Sequence, residues 1–235
     1  MGYHLKKALT VGNIEYIIGG VGSMFRTSII KKVGYYSTDT VTEDIDLTMK
    51  VVGLGNKKNL MVYAEDVVVY TESTLTIPAL FKQRFRWKFG RFQTFWKNRS
   101  LFFNKDKKYS RYLTFIYLPF QLFSELTFLF DPLLIGYIAY LSIRFGSPSS
   151  YYGMFLFLMF FTVFAIASDN ESSIKDSSIL LLLSPLSYIM FFLVSVVEYA
   201  GLIQCIIKWK EIIYASRYNR CGWTPVERLG RAITT

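Results

Sequence analysis

Two stretches of this chain have almost nothing to offer water. Residues 151–168 read YYGMFLFLMFFTVFAIAS without a charge, and residues 178–207 carry only Glu198. An apolar run of about 18 residues rises about 27 Å as a helix, close to the hydrocarbon thickness of a bilayer. Runs of that length read as membrane spans. A third stretch, 112–143, holds Glu125 and Asp131 as its charges, and Pro119 and Pro132 divide it into an interfacial piece and a span. The run 178–207 is long enough to tilt or to break near Pro185. Only 19% of the residues are charged and 52% are hydrophobic, which excludes a disordered chain. The remaining length suits one modest soluble domain.

The positive charge is concentrated beside these runs. Residues 76–111 hold eleven Lys and Arg against the single acid Asp106, an excess equal to the net +10 of the whole chain. This segment is also rich in Phe and Trp, so it reads as an interfacial helix on anionic membrane lipid. Nucleic acid, the other partner of a basic aromatic helix, is set aside because the spans adjoin it. The tail 208–235 is basic as well, with Lys208, Lys210, Arg217, Arg220, Arg228 and Arg231 against Glu211 and Glu227. The positive-inside rule places both basic segments in the cytoplasm. Three simple spans would separate them, so one of the three runs is expected to be interfacial or re-entrant.

Cys205 and Cys221 build no disulfide framework, and the first forty residues contain no signal-peptide h-region. The lone His4 has no partners for a metal site.

Residues 1–75 resemble half of an α/β domain. Short strands are expected at 14–18, 22–26, 60–64 and 67–71, with a Gly-Gly turn after the first. A helix is expected from about Glu43 to Val52, with Thr42 as N-cap and Ile45, Met49 and Val52 on one face. Pro78 suits the first turn of a long helix reaching about Lys97.

Two patterns carry candidate chemistry. Thr42-Glu43-Asp44-Ile45-Asp46 places acids at a helix mouth. There a carboxylate can act as a general base, or simply cap the helix and complement its dipole. Asp44-Ile45-Asp46 also spells D-x-D, but no apolar strand precedes it, so metal binding is not assigned. Gln83-Arg84-Phe85-Arg86-Trp87 reads Q-x-x-R-W, with Gln83, Arg86 and Trp87 at i, i+3 and i+4. Arg suits bidentate contact with phosphate, and a Trp face suits stacking on a sugar. The same residues also suit a lipid-facing helix with Trp87 in the interfacial belt.

Together, T-E-D, Q-x-x-R-W some forty residues later and the apolar runs beyond resemble family 2 glycosyltransferases. They are most similar to the processive membrane-embedded group of poly-N-acetylglucosamine, hyaluronan and cellulose synthases. Gly19-Gly20-Val21-Gly22-Ser23-Met24-Phe25-Arg26 and the Trp223–Gly230 tail segment add to the likeness. The resemblance implies an α/β partial glycosyltransferase-A-like domain followed by an α-helical transmembrane region. Its parts would be the acceptor half of the domain (1–75), a basic interfacial helix region (76–111), a transmembrane region (112–207) and a basic cytoplasmic tail (208–235).

By the same resemblance the enzyme is an inverting transferase of the plasma membrane, multi-pass, that moves a sugar from a nucleotide-sugar donor to a growing glycan acceptor. Asp44 would be the base. Gly20, Glu43, Gln83, Arg86 and Trp87 would line the diphosphate and acceptor side. Members of the family carry a nucleotide-binding half with a D-x-D for Mg²⁺ or Mn²⁺ ahead of these motifs. No such half is present in 1–75, so this chain is expected to bind no metal and to be inactive without a missing N-terminal half. The alternative is a non-catalytic polytopic membrane subunit or scaffold that retains the motifs. Dolichyl-phosphate sugar transferases are the nearest other enzymes, and Q-x-x-R-W speaks against them.

Overall fold

Tyr16 sits at the centre of the core, stacked on Phe95 at 5.6 Å and edge-on to Tyr117 at 5.8 Å. Leu9, Ile14, Met49, Val52, Met61, Leu101 and Leu113 close around it. Its phenol is pushed above the usual tyrosine range by burial, against an opposing effect of Arg91. This core belongs to a computed structural model that describes residues 8–64, 67, 69, 71–168 and 174–214. The described residues form two compact units. One draws on Gly2–Leu126 and Ala200–Thr235, and the other on Thr127–Tyr199.

In the first unit, helix α1 (Thr27–Val33) stops at Gly34, whose φ of 77° is the left-handed conformation that glycine tolerates. Helix α2 (Glu43–Gly53) is buried on most sides, through Ile45, Leu47, Met49, Val51 and Val52. Helix α3 (Ile77–Lys97) begins with Pro78 in its first turn, and Thr76 Oγ1 accepts the Ala79 N–H at 3.3 Å. A 3₁₀ turn, Arg99–Leu101, follows. The chain then enters a π-helical stretch, Tyr112–Tyr117, that runs into α4 (Leu118–Thr127). The wide π turn sits directly before Pro119, whose ring displaces the carbonyl four residues back and which has no N–H to donate.

Among the described residues, no strand forms where strands were expected at 14–18, 22–26 and 60–64; the 67–71 segment falls partly outside the described residues. At 14–18 and 60–64 some of the backbone groups that a ladder would pair are taken by side chains, two of them distant in sequence. Glu15 Oε1 accepts the Tyr16 and Ile17 N–H groups at 3.1 and 2.9 Å. Thr48 Oγ1 accepts from Ile18 N–H at 3.2 Å, and Asn13 Oδ1 from Met61 N–H at 3.0 Å. Asn13 and Asn56 also clasp each other, each amide donating to the other's carbonyl. These bonds satisfy buried backbone without a neighbouring strand.

The second unit is helical: α5 (Asp131–Arg144), α6 (Ser149–Ala167), α7 (Ile174–Leu183) and most of α8 (Leu186–Ile207). Helix α9 (Trp209–Ile213) returns to the first unit, with Trp209 edge-on to Trp96 at 5.7 Å. Among the described residues, α8 is long and apolar enough to cross a membrane by itself. The pair Tyr112–Thr127 and Asp131–Arg144 meets that standard only when taken together across its break. The outward faces of α6 are bare hydrocarbon: Phe157, Phe160 and Phe164 are all exposed. A continuous apolar surface of this kind is the surface of a lipid or protein contact.

Candidate active site

The first carboxylate of the helix mouth is Asp44, partly exposed at the start of α2. Its Oδ2 accepts the Gly20 N–H at 2.9 Å and its Oδ1 accepts the Ile45 N–H at 2.9 Å. Gly20, expected by the resemblance on the acceptor side, thus directs its backbone N–H onto the acid. A Cβ on Gly20 would stand 3.6 Å from Asp44 Oδ2, an ordinary contact, so the backbone N–H rather than the missing side chain is what Gly20 brings to the acid.

Asp46, two residues on, is fully buried. Ser37 Oγ donates to it in a short bond, Lys97 Nζ at 3.0 Å and Asn98 Nδ2 at 3.3 Å, while Lys50 Nζ stands 3.7 Å away. The two acids of the D-x-D therefore differ in kind. Asp46 is walled in by cations and donors, and Asp44 is held by backbone with one side open. Asp46, occupied by Lys97, Ser37 and Asn98, has little to offer a divalent ion, and Asp44 already accepts two N–H groups. Among the described residues, no group of three or more His, Cys, Asp or Glu could hold a metal.

Thr42 occupies the N-cap position of α2, but its side chain makes no capping bond. It is turned toward α3 instead. A Cβ built on Gly90 would meet Thr42 Oγ1 at 2.3 Å, so α3 passes Thr42 at a distance only glycine permits. At about 100° per residue, Gln83, Arg86, Gly90, Gln93 and Lys97 form one stripe of α3. That stripe grips the segment before α2. Arg86 Nε donates to the Val41 carbonyl at 3.1 Å, and Gln93 Oε1 accepts the Val41 N–H at 3.0 Å. Arg86 Nη2 also stands 3.6 Å from Glu43 Oε2, an exposed carboxylate. Trp87 projects outward, 41% exposed, with the Arg84 guanidinium 5.1 Å from its ring centre. Gln83 is half-buried one turn before Arg86.

Sequence distance is thus closed by the contacts of Arg86 and Gln93 with residues 41 and 43. The helix mouth at 42–44 and the turn 83–87 meet through Arg86 and Val41. A separate open groove of about 910 Å³ is lined by Glu15, Ile18, Gly19, Gly22, Met24 and Leu60, among others, and takes no lining from 42–44 or 83–87.

The profile described as glycosyl transferase family group 2 matches residues 8–207, most of the chain and both motifs. The chain belongs to that family. A poly-beta-1,6-N-acetyl-D-glucosamine synthase of Staphylococcus epidermidis is 28% identical over 161 residues, which is 67% of this chain and 36% of the relative. A synthase of the same name from Staphylococcus aureus is 33% identical over 86 residues, 37% of this chain and 20% of the relative. The chain therefore spans about a third or less of the length of these curated relatives. No solved structure matches it significantly.

Three residues of this glycosyltransferase chain that pack or bond around the helix mouth were not assigned to the site from the sequence: Gly90, Gln93 and Lys97. Gly90 and Gln93 had a signal, since both fall one or two turns after Arg86 on its own stripe. Lys97 entered only as one base among eleven and as the expected end of the helix.

Proposed function

We propose that this chain supplies the acceptor side of a membrane-bound family 2 glycosyltransferase that transfers a sugar from a nucleotide-sugar to a growing polysaccharide. The observation that carries the reading is the Arg86–Val41 bond, which puts the candidate base Asp44 and the candidate diphosphate ligand Arg86 on either side of one short segment.

In the proposed reaction the acceptor hydroxyl attacks the anomeric carbon of the donor. The new C–O bond forms as the bond to the diphosphate oxygen breaks, with inversion. Asp44 takes the hydroxyl proton, and the nucleoside diphosphate leaves with the electron pair. Gly20 and Ile45 N–H groups hold the carboxylate so that it meets the acceptor in one orientation. Arg86, with Gln83 beside it, faces the charge that grows on the diphosphate, while Glu43 fixes the guanidinium. Trp87 offers its exposed face to the acceptor sugar.

In the same reading residues 1–75 are the acceptor half of an α/β domain, 76–111 an interfacial region, 112–207 a multi-pass region of the plasma membrane and 208–235 a tail. The soluble part and the tail face the cytoplasm, where nucleotide-sugars are made. The relatives' names point to N-acetylglucosamine as the sugar. The test is to place the chain in membranes, alone and co-expressed with the part of the Staphylococcus epidermidis relative outside the match. UDP-sugars are supplied and UDP release and polymer are measured. Release that depends on this chain supports the reading. Its absence in both preparations turns the assignment to a non-catalytic membrane subunit.

A further inference from the structure

Opposite the stripe that grips Val41, α3 carries a second polar stripe: Arg84, Lys88 and Arg91, about half a turn of the wheel away. Lys88 is buried deep in the packing, an uncommon place for a lysine. Its Nζ reaches Glu125 Oε2 at 2.9 Å, and Arg91 Nη1 closes on Glu125 Oε1. Glu125 lies in α4 and is itself buried. Both oxygens of one carboxylate are thus held by two cations one turn apart on α3. That pairing resists both sliding and axial rotation of α3, because either motion stretches at least one of the two contacts to a carboxylate anchored in α4. Leaving one member unpaired in a buried setting is expensive, so the arrangement has a single low-energy register.

We propose that Glu125 is a positioning residue. By fixing Lys88 and Arg91 it sets the rotation of α3, and so the place of Arg86, Gln93 and Trp87 against the segment Val41–Asp44. Glu125 touches none of these groups itself. The functional consequence rests on the reaction proposed above; the mechanical one does not.

The two are separated by two measurements. Hydrogen exchange is followed on the full chain in detergent for wild type, Glu125→Gln, Arg91→Lys and Leu118→Ala. Leu118 is buried in the same helix without an ionic partner and serves as the packing control. The Val41 N–H bonded to Gln93 reports the seat of α3 directly. Glu125→Gln is expected to speed exchange over 41–46 about tenfold beyond its effect on the rest of the core, whereas Leu118→Ala, which opens a cavity in the core shared with Met49 and Val52, speeds the whole core together. Arg91→Lys keeps the charge but loses the fork, and gives the same pattern more weakly; it decides the matter if Glu125→Gln does not fold. Faster exchange confined to 85–91 and 118–126, or an equal preference for 41–46 in Leu118→Ala, overturns the proposal. In the sugar-transfer assay, Glu125→Gln is expected to lower kcat about tenfold to a hundredfold with KM for the nucleotide-sugar within about twofold. A wild-type chain that transfers nothing even when co-expressed with the remaining part of the relative overturns the proposed reaction and leaves the exchange result to judge the positioning.

Discussion

Lys97 Nζ lies 3.0 Å from Asp46 Oδ2 across 51 positions of sequence, and ties the last turn of α3 to the first turn of α2. The same ammonium donates to Ser37 Oγ at 2.9 Å and to Asp39 Oδ1 at 2.7 Å, so the loop before α2 is bound into the joint. Asp46 is therefore the structural acid of the pair, and its neighbour Asp44 the accessible one.

Asp46→Asn is expected to lower stability by about 2–3 kcal/mol. The amide keeps the shape but loses the charge that Lys97 and Ser37 address in a buried position. Denaturant melts of the detergent-solubilised chain measure this. A shift below about 0.5 kcal/mol would remove Asp46 from the role given to it.

Asp44→Asn is expected to behave in the reverse way. Its contacts are two backbone N–H groups, which an amide oxygen can still partly accept, so stability should stay within about 1 kcal/mol. Loss of a general base should lower sugar transfer by about 10²–10⁴ while nucleotide-sugar binding persists. Near-normal turnover in this variant would move the base elsewhere.

Gly90→Ala drives a methyl into Thr42, whose nearest side-chain atoms stand 2.3–2.8 Å from the new Cβ position. Overpacking of this kind costs about 1–3 kcal/mol, and here it also lifts α3 off the Val41 segment. Thermal melting should fall, and the double variant Gly90→Ala with Thr42→Ala should recover part of the loss. A double variant no better than the single one would mean that the clash is not with Thr42.

Trp87→Ala removes an exposed ring that stacks only on Arg84 among the contacts described for it, so stability should change by less than about 1 kcal/mol. Product length should shorten more than donor hydrolysis falls. Equal loss of both would place Trp87 in the donor chemistry instead.

Topology is open to labelling. Lys57→Cys and Lys107→Cys are exposed positions, and in a background without Cys205 and Cys221 they should resist a membrane-impermeant maleimide in intact cells and react after lysis. Reaction before lysis would place the soluble part outside.

The family and the presence of long apolar helices were legible in the sequence, because both are written in local order. A charge-free run is apolar in any fold, and T-E-D with Q-x-x-R-W is a spacing along the chain. Pro78 and Thr76 likewise start α3 by rules that act within one turn. The strands expected at 14–18 and 60–64 were read from apolar β-branched composition, which cannot reveal that Asn13, Glu15 and Thr48 take up the neighbouring backbone groups. The family resemblance had assigned the base to Asp44 and not to Asp46, but only tertiary structure gave the two acids different surroundings. Both are acids in the same helical turn, and their difference lies in Lys97, Ser37 and Gly20, which are distant in sequence and reach one or the other by packing. Glu125 shows the same limit most sharply. In the sequence it is a lone charge in an apolar run, and its two partners on α3 are set by how two helices meet, a long-range relation that no local pattern carries.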